Sequence, residues 1–127
     1  MVKVKRAILA FRGKWMLFCN KAVVDDVWAA IASAMATHQL GLSAKVSPRK
    51  VEDTASRDRA DEHVACIYTA DYTDDADVAR VALAIAQAVR PYWVGTLRYK
   101  PDIYTYLGIY SGNQLGIAPT NRAFEVR

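Results

Sequence analysis

The sequence lacks most of the signatures that mark a metal site, a phosphate-binding loop or a hydrolase. It has only two cysteines and two histidines among 127 residues, too few and too scattered for a structural zinc site, so we expect no metal and no cofactor. No glycine-rich phosphate loop, Cys-x-x-Cys pair, His-Glu-x-x-His helix or Gly-x-Ser-x-Gly elbow occurs. These absences argue against the commonest metalloenzymes, P-loop proteins and α/β-hydrolases.

Long hydrophobic runs are also missing. No stretch approaches the ~20 apolar residues that a bilayer span requires, and the apolar segment at residues 8–11 is too short for a signal-peptide core. Cys19 and Cys66 each lie in an apolar, strand-like run, which favours buried free thiols over a disulfide. These features predict a cytoplasmic protein without a membrane partner.

The length and composition suffice for one independently folding domain. A chain of 127 residues lies near the common domain size and buries roughly two thirds of the surface that its unfolded form exposes. With 53% hydrophobic residues, it needs neither disulfides nor metal to build a core. We therefore expect a single domain over residues 1–127, and the sequence leaves its oligomeric state open.

Hydrophobic periodicity predicts strands that alternate with two main helices. Apolar residues at helical spacing predict helices over residues 24–38, stopped near Gly41, and about 74–90. Strict strand–helix alternation fails after residue 100, where short strands and turns are expected, so we predict an α+β fold with a mainly antiparallel sheet and both helices on one face. Residues 49–62 are highly charged and predict a surface loop. Strands are predicted at residues 15–19, 42–47, 64–69 and 93–100.

The net charge of +4 conceals a strong asymmetry along the chain. Residues 1–24 carry six basic residues and no acid, residues 25–77 carry a net charge of −6, and residues 78–127 carry a net charge of +4. If the two ends of the chain meet in space, they form one basic surface. Such a surface attracts anions such as phosphate groups, RNA or acidic peptides.

Basic side chains on or beside the predicted strands indicate where an anion would bind. A residue held on a sheet loses little entropy on binding, and an arginine can grip a phosphate with two parallel hydrogen bonds. Any one of these residues alone is typical of a solvated surface, so the prediction depends on several converging. The candidate phosphate-binding residues are Lys14, Arg49, Arg98, Lys100 and Arg122.

Aromatic residues could provide a stacking surface for a base. Trp28 lies on the apolar stripe of the first helix and is expected in the core. Trp15 and Trp93 are compatible either with core packing or with stacking against a ligand. Trp15 and Trp93 are therefore the candidate stacking residues.

Several segments resemble the basophilic-leukaemia-expressed protein family. The most specific is residues 99–110 (YKPDIYTYLGIY), and residues 13–16 (GKWM), 44–49 (AKVSPR), 66–69 (CIYT) and 72–74 (YTD) are similar as well. The resemblance covers nearly the whole chain. It implies the fold of the cap-binding translation initiation factor, a curved antiparallel sheet backed by helices, which agrees with the α+β class expected from periodicity.

The same resemblance implies a phosphothreonine lyase-like activity, in which a lysine removes a proton, a histidine protonates the leaving group and basic residues hold the phosphate. The lyase pattern places the catalytic lysine on Lys45 and a strand aromatic on Tyr68. Its histidine position holds Met16, which cannot protonate a leaving group. Either another group such as His63 or Tyr68 substitutes, or the pocket binds phosphate without eliminating it. Lys45 would also need a depressed pKa, through burial or neighbouring cations such as Arg49.

Three functions are compatible with the sequence. The first is binding of a phosphate-bearing partner, which is a phosphorylated small molecule such as a nucleotide, an RNA end or a phosphopeptide. The second is lyase-like β-elimination with Lys45 as the base. The third is a protein-interaction module that uses an exposed sheet or the tyrosine-rich C-terminal segment. The charge asymmetry and the strand-borne cations favour the first.

Overall fold

Strands and helices alternate along most of the chain. The structure is a computed structural model, and it describes residues 11–47, 62–109, 113, 116 and 118–127. Five strands and three helices lie within these residues, in the order β1 Gly13–Asn20, α1 Val24–Ala36, β2 Ser43–Val46, β3 Glu62–Thr69, α2 Asp75–Val89, β4 Gly95–Pro101, α3 Asp102–Tyr106 and β5 Arg122–Val126.

The five described strands form one sheet in the order β2-β3-β1-β4-β5. Every neighbouring pair is antiparallel. β1 lies at the centre, where Trp15 is opposite Ile67 of β3 on one side and Tyr99 of β4 on the other. Residues 13–16 of β1 therefore have neighbours from two strands, whereas residues 17–20 pair with β3 alone.

One face of the sheet packs against α1 and α2. Because successive strand residues point to opposite faces, Trp15 and Leu17 of β1 lie together on the buried face. They share one apolar cluster with Ile31 of α1 and Ile85 of α2, and burial of each such side chain contributes about 1.5–3 kcal/mol. The Trp15 indole N–H donates to the Val78 carbonyl of α2 at 2.9 Å. This packing confirms the predicted α+β class, a curved antiparallel sheet with two main helices on one face.

The helix ends follow local chemistry. The Asp74 side chain accepts a hydrogen bond from the Asp77 N–H at 3.1 Å and so begins α2 as an N-cap. Asp25 and Asp26 occupy the first turn of α1, where the helix dipole stabilises acids. The chain leaves α1 through His38, whose φ of 59° is left-handed. The helix therefore stops earlier than the predicted signal at Gly41.

The segment after β4 differs from the prediction. The sequence predicts short strands over residues 103–110, whereas Asp102–Tyr106 forms the short helix α3. The Asp102 N–H donates to the Arg12 carbonyl at 2.8 Å, and the Ile109 N–H donates to the Tyr104 carbonyl at 2.8 Å. α3 has no buried residue, so its alternating tyrosines do not correspond to the inward face of a strand.

The predicted loop at residues 49–62 lies outside the described residues, except for Glu62, which begins β3. Residues 119–121, predicted as a turn, directly precede β5 and are not part of a strand or helix. No helix in the described ranges is long and apolar enough to cross a membrane.

Candidate functional site

The sheet face opposite α1 and α2 carries four of the predicted basic or catalytic lysine and arginine residues. We call it the open face. Residues that pair across antiparallel strands lie side by side on one face, so the strand register orders this surface into rows. From one end of the sheet to the other, the first row is Ser43–Tyr68–Lys14–Lys100, the second is Lys45–Cys66–Met16–Arg98, and the third is Val64–Phe18.

Two cations of the first row face each other directly. Lys14 of β1 is the cross-strand partner of Lys100 of β4, and like charges in this position repel. Lys100 is only 8% exposed. Burial and then the neighbouring Lys14 charge lower the pKa of Lys100, while Asp102 opposes this effect. The first row therefore holds concentrated positive charge that is incompletely solvated.

Tyr68 lies between two lysines. The Lys14 Nζ is 5.8 Å from the centroid of the Tyr68 ring, and the Lys45 Nζ is 5.7 Å from the same centroid. Both distances are within the range of cation–π attraction. A side-chain hydrogen bond with Tyr68 raises the pKa of Lys45. Tyr68 thus holds two ammonium groups, from β1 and β2, over one ring.

Two clefts on the open face share the side chains of β1. The first has a volume of about 410 Å³ and is lined mostly by apolar residues between β1 and β2, with Lys14 and Lys45 at its border. The second has a volume of about 510 Å³ and is lined by Lys14, Arg98 and Lys100, with residues 118–120 and Glu62 at its edge. Both volumes fall within the ~300–1,000 Å³ typical of small-molecule sites. Met16 and Phe18 line both clefts.

A depression of about 500 Å³ on the opposite side of the molecule lies between α1 and α2. It is larger than the apolar cleft of the open face, but its lining consists of mostly small residues together with Asp26, Gln39 and Tyr92, and includes no basic side chain. An anion would gain no ion pair there. The open face is therefore the better candidate for a phosphate site.

A sequence model of the family described as basophilic leukemia-expressed protein Bles03 matches residues 1–108. The chain belongs to the Bles03 family. The matched residues include β1 to β4 and thus both lysines of the first row and Arg98. The resemblance seen in the sequence is thereby confirmed, while β5 lies beyond the matched part.

Among solved structures, the Bles03 chain is similar to a schistosome eIF4E that was crystallised with m7GpppA and 4E-BP. The TM-score is 0.63 at 10% sequence identity, and the match covers 90% of this chain. The chain spans only 59% of the length of that eIF4E chain. At this identity the likeness establishes the shared fold, which confirms the predicted initiation-factor-like architecture.

Two predicted ligand-binding residues of this Bles03 chain lie on the sheet face that packs against α1 and α2, not on the open face. Trp15 is 2% exposed in the core, where its indole packs edge-on against Tyr99 at 5.1 Å, so it cannot stack on a ligand. Arg122 pairs with Tyr99 in the sheet register and therefore also lies on the helix side. Its guanidinium donates to the Tyr72 carbonyl at 2.8 Å and pairs with Asp75. Arg122 thus joins β5 to the start of α2 and does not meet the other cations.

The remaining candidates are separated from the open face or fall outside the described residues. His63 pairs with Cys19 on the helix side, and its Nδ1 is 3.0 Å from the Ser47 carbonyl. Trp93 is half-buried, its indole N–H donates to the Phe18 carbonyl at 3.1 Å, and its ring packs against the core. Neither residue lines either cleft. Arg49 lies in the part of the chain that is not described.

Sequence reasoning missed most of the apolar members of the open face and considered Met16 only as the position of the lyase histidine. Phe18 and Met16 line both clefts, and Cys66 lies between Lys45 and Met16 in the second row. Strand alternation contains the signal, because a strand that buries Trp15 must present the residues at even positions on the other face. Applied to β1, this rule selects Phe18, rather than Trp15, as the aromatic on the same face as Lys14.

Proposed function

We propose that this Bles03 protein binds a phosphate-bearing ligand on the open face of its sheet. The observation that carries the proposal is the convergence of Lys14, Arg98 and Lys100 from two adjacent strands on one cleft. Lys45 adds a fourth cation from the edge strand, held near Lys14 by the ring they share. An anion at this cleft would neutralise charges that now repel one another.

The placement of Lys100 argues for a binding role over a purely structural one. A buried ammonium loses hydration, and stability alone would favour an apolar side chain in its place. Lys100 instead lies opposite a second lysine, a combination that costs stability. Groups with shifted pKa values and close like charges are common at functional sites. The similar eIF4E structure holds a phosphate-bearing ligand, m7GpppA, which is consistent in kind with this proposal.

The residues fit binding better than lyase-like elimination. Lys45 would have to lose its proton to act as a base, but its contact with Tyr68 raises its pKa and keeps it protonated. The general-acid position holds Met16, and His63 lies on the opposite face of the sheet. Lys45 and Tyr68 therefore serve as a hydrogen-bonding and charged border of the site, without an acid–base pair.

Calorimetric titration with inorganic pyrophosphate tests the proposal. We expect the wild-type protein to bind, and the affinity to fall as salt rises from roughly 50 to 200 mM, because phosphate contacts by lysine and arginine are screened by salt. Arg98→Gln should weaken binding about tenfold or more, the value of one charge-assisted hydrogen bond. Arg90→Gln is the matched control, since Arg90 is an exposed arginine at the C-cap of α2.

Two results would contradict the proposal. One is the absence of binding at low salt to pyrophosphate, nucleotides, RNA ends and phosphopeptides alike. The other is an equal loss of affinity in Arg98→Gln and Arg90→Gln, which would indicate non-specific attraction to a basic protein. Mass spectrometry of a bound phosphothreonine peptide adds a direct test of the chemistry: we expect the peptide to be recovered with its phosphate intact.

A further inference from the structure

We propose that the ligand of the open face is a nucleotide, with its phosphate on the Lys14–Lys100 pair and its base against Phe18. The inference rests on the proposed phosphate-binding function and narrows it to one class of ligand. It also assigns a direction, because the nucleotide would lie along β1. Its basis is the change of polarity from one end of the open face to the other.

The gradient follows the even-numbered residues of β1. Lys14 lies in the doubly cationic first row, Met16 lies in the middle, and Phe18 lies in the apolar third row. At ~3.4 Å per residue, the backbone from Lys14 to Phe18 extends about 14 Å. Beyond Phe18, β3 begins with Glu62, which lines the same cleft as the cations. A phosphate is thus attracted to the Lys14 end, whereas the third row, Val64–Phe18, offers it no cation.

The apolar end suits a planar ring. Phe18 contributes to both clefts, and its neighbours in the first cleft include Val64, Met16 and Cys66. A base gains affinity by stacking on an aromatic side chain while this apolar wall removes its faces from water. A free phosphate or a sugar phosphate would occupy the cationic end and leave the Phe18 end wet.

The position on the face of the sheet favours a nucleotide over a phosphopeptide. An extended peptide is usually recognised by backbone hydrogen bonds to an exposed sheet edge. Lys14, Met16 and Phe18 lie on the central strand, whose backbone already pairs with β3 over the full strand and with β4 at residues 13–16. The floor of the site therefore offers side chains, which suits a ligand recognised through its phosphate and its ring.

The test compares binding of adenosine and guanosine 5′-monophosphates with binding of ribose 5-phosphate, by calorimetry at low salt. The nucleotides should bind about 5- to 150-fold more tightly than the sugar phosphate, the range expected for one stacked base. Phe18→Leu should reduce this ratio towards one. Lys14→Met should weaken nucleotide and sugar phosphate by the same factor and so preserve the ratio.

A second measurement covers the case in which Phe18→Leu does not fold. In wild-type protein, the Val64 methyl NMR signals should shift on saturation with a nucleotide and stay in place on saturation with ribose 5-phosphate. Equal affinity for nucleotides and ribose 5-phosphate, or tighter binding of a phosphothreonine peptide than of any nucleotide, would overturn the inference while leaving phosphate binding intact. Failure of all the phosphate compounds to bind would remove the proposed function itself.

Discussion

Replacing Lys100 by methionine should change stability and ligand affinity in opposite directions. Methionine keeps the length and apolar stem of the side chain but removes a charge that is 8% exposed and directly opposite Lys14. Relief of one like-charged cross-strand pair is worth about 0.2–1 kcal/mol, and loss of the attraction between Lys100 and Asp102 offsets part of this gain. Lys100→Met should therefore raise the melting temperature by up to about 4 °C at neutral pH. Loss of one charged phosphate contact costs about 1.5–3 kcal/mol, which predicts roughly 10- to 150-fold weaker pyrophosphate binding.

The stability gain should depend on pH in a defined direction. The pKa of Lys100 in the folded protein lies below its ordinary value of 10.5, so between these two values the unfolded chain binds more protons than the folded one. The wild-type protein therefore becomes more stable as pH rises through that window. The advantage of Lys100→Met should be full at neutral pH and should shrink as pH approaches 10.5.

Thermal unfolding monitored by circular dichroism, at several pH values, and calorimetry with pyrophosphate measure the two effects. Lys21→Met is a matched control, because Lys21 is an exposed lysine in the turn that follows β1. It should alter neither the melting temperature nor the affinity appreciably. If Lys100→Met lowered the melting temperature, or bound pyrophosphate as tightly as wild type, the reasoning about the first row would be refuted.

Three further predictions concern the buried side of the sheet and the thiol on the open face. Gly13→Ala should lower the free energy of unfolding by about 1–3 kcal/mol in denaturant titration, because a Cβ at Gly13 would lie 2.0 Å from the hydroxyl of buried Tyr99. An unchanged denaturant midpoint of unfolding would contradict this packing. Arg122→Gln should cost about 1–2 kcal/mol through lost contacts to the start of α2, and a weaker pyrophosphate affinity in this variant would show that Arg122 belongs to the site after all. Burial raises the pKa of Cys66, although the charges of Lys14 and Lys45 oppose this effect. Iodoacetamide at pH 7 should therefore modify Cys66 far more slowly in native than in unfolded protein. Equal rates of modification would exclude a buried thiol.

The fold was largely predictable because its signals are local. Helical spacing located α1 and α2 within a few residues, and β-branched or aromatic runs located β1, β3 and β4. The short helix α3 was not predictable, since it buries no side chain and therefore leaves no periodic signal. α1 ends at Ala36, and the chain turns away from it through His38, a left-handed residue that is not glycine. Sequence rules assign such a residue poorly.

Only part of the candidate site was predictable, because whether the basic side chains meet depends on which face of each strand is buried. Arg98 and Lys100 are two residues apart, so alternation alone places them together. Lys14 and Trp15 are adjacent in the chain, so their side chains lie on opposite faces of β1. Only the packing of Trp15 on α2 decides which of the two is buried. Arg122 was misplaced because the pairing of β5 with β4 cannot be read from the sequence.

The most direct test of the anion site is a lysine-selective NMR titration with pyrophosphate, in which the side-chain CH₂ groups next to each Nζ are observed individually. If the open face binds the anion, the signals of Lys14, Lys45 and Lys100 shift with one common, saturable dissociation constant, and the signal of Lys21 stays in place. Parallel, non-saturating shifts of all lysines, Lys21 included, would contradict a site on the open face.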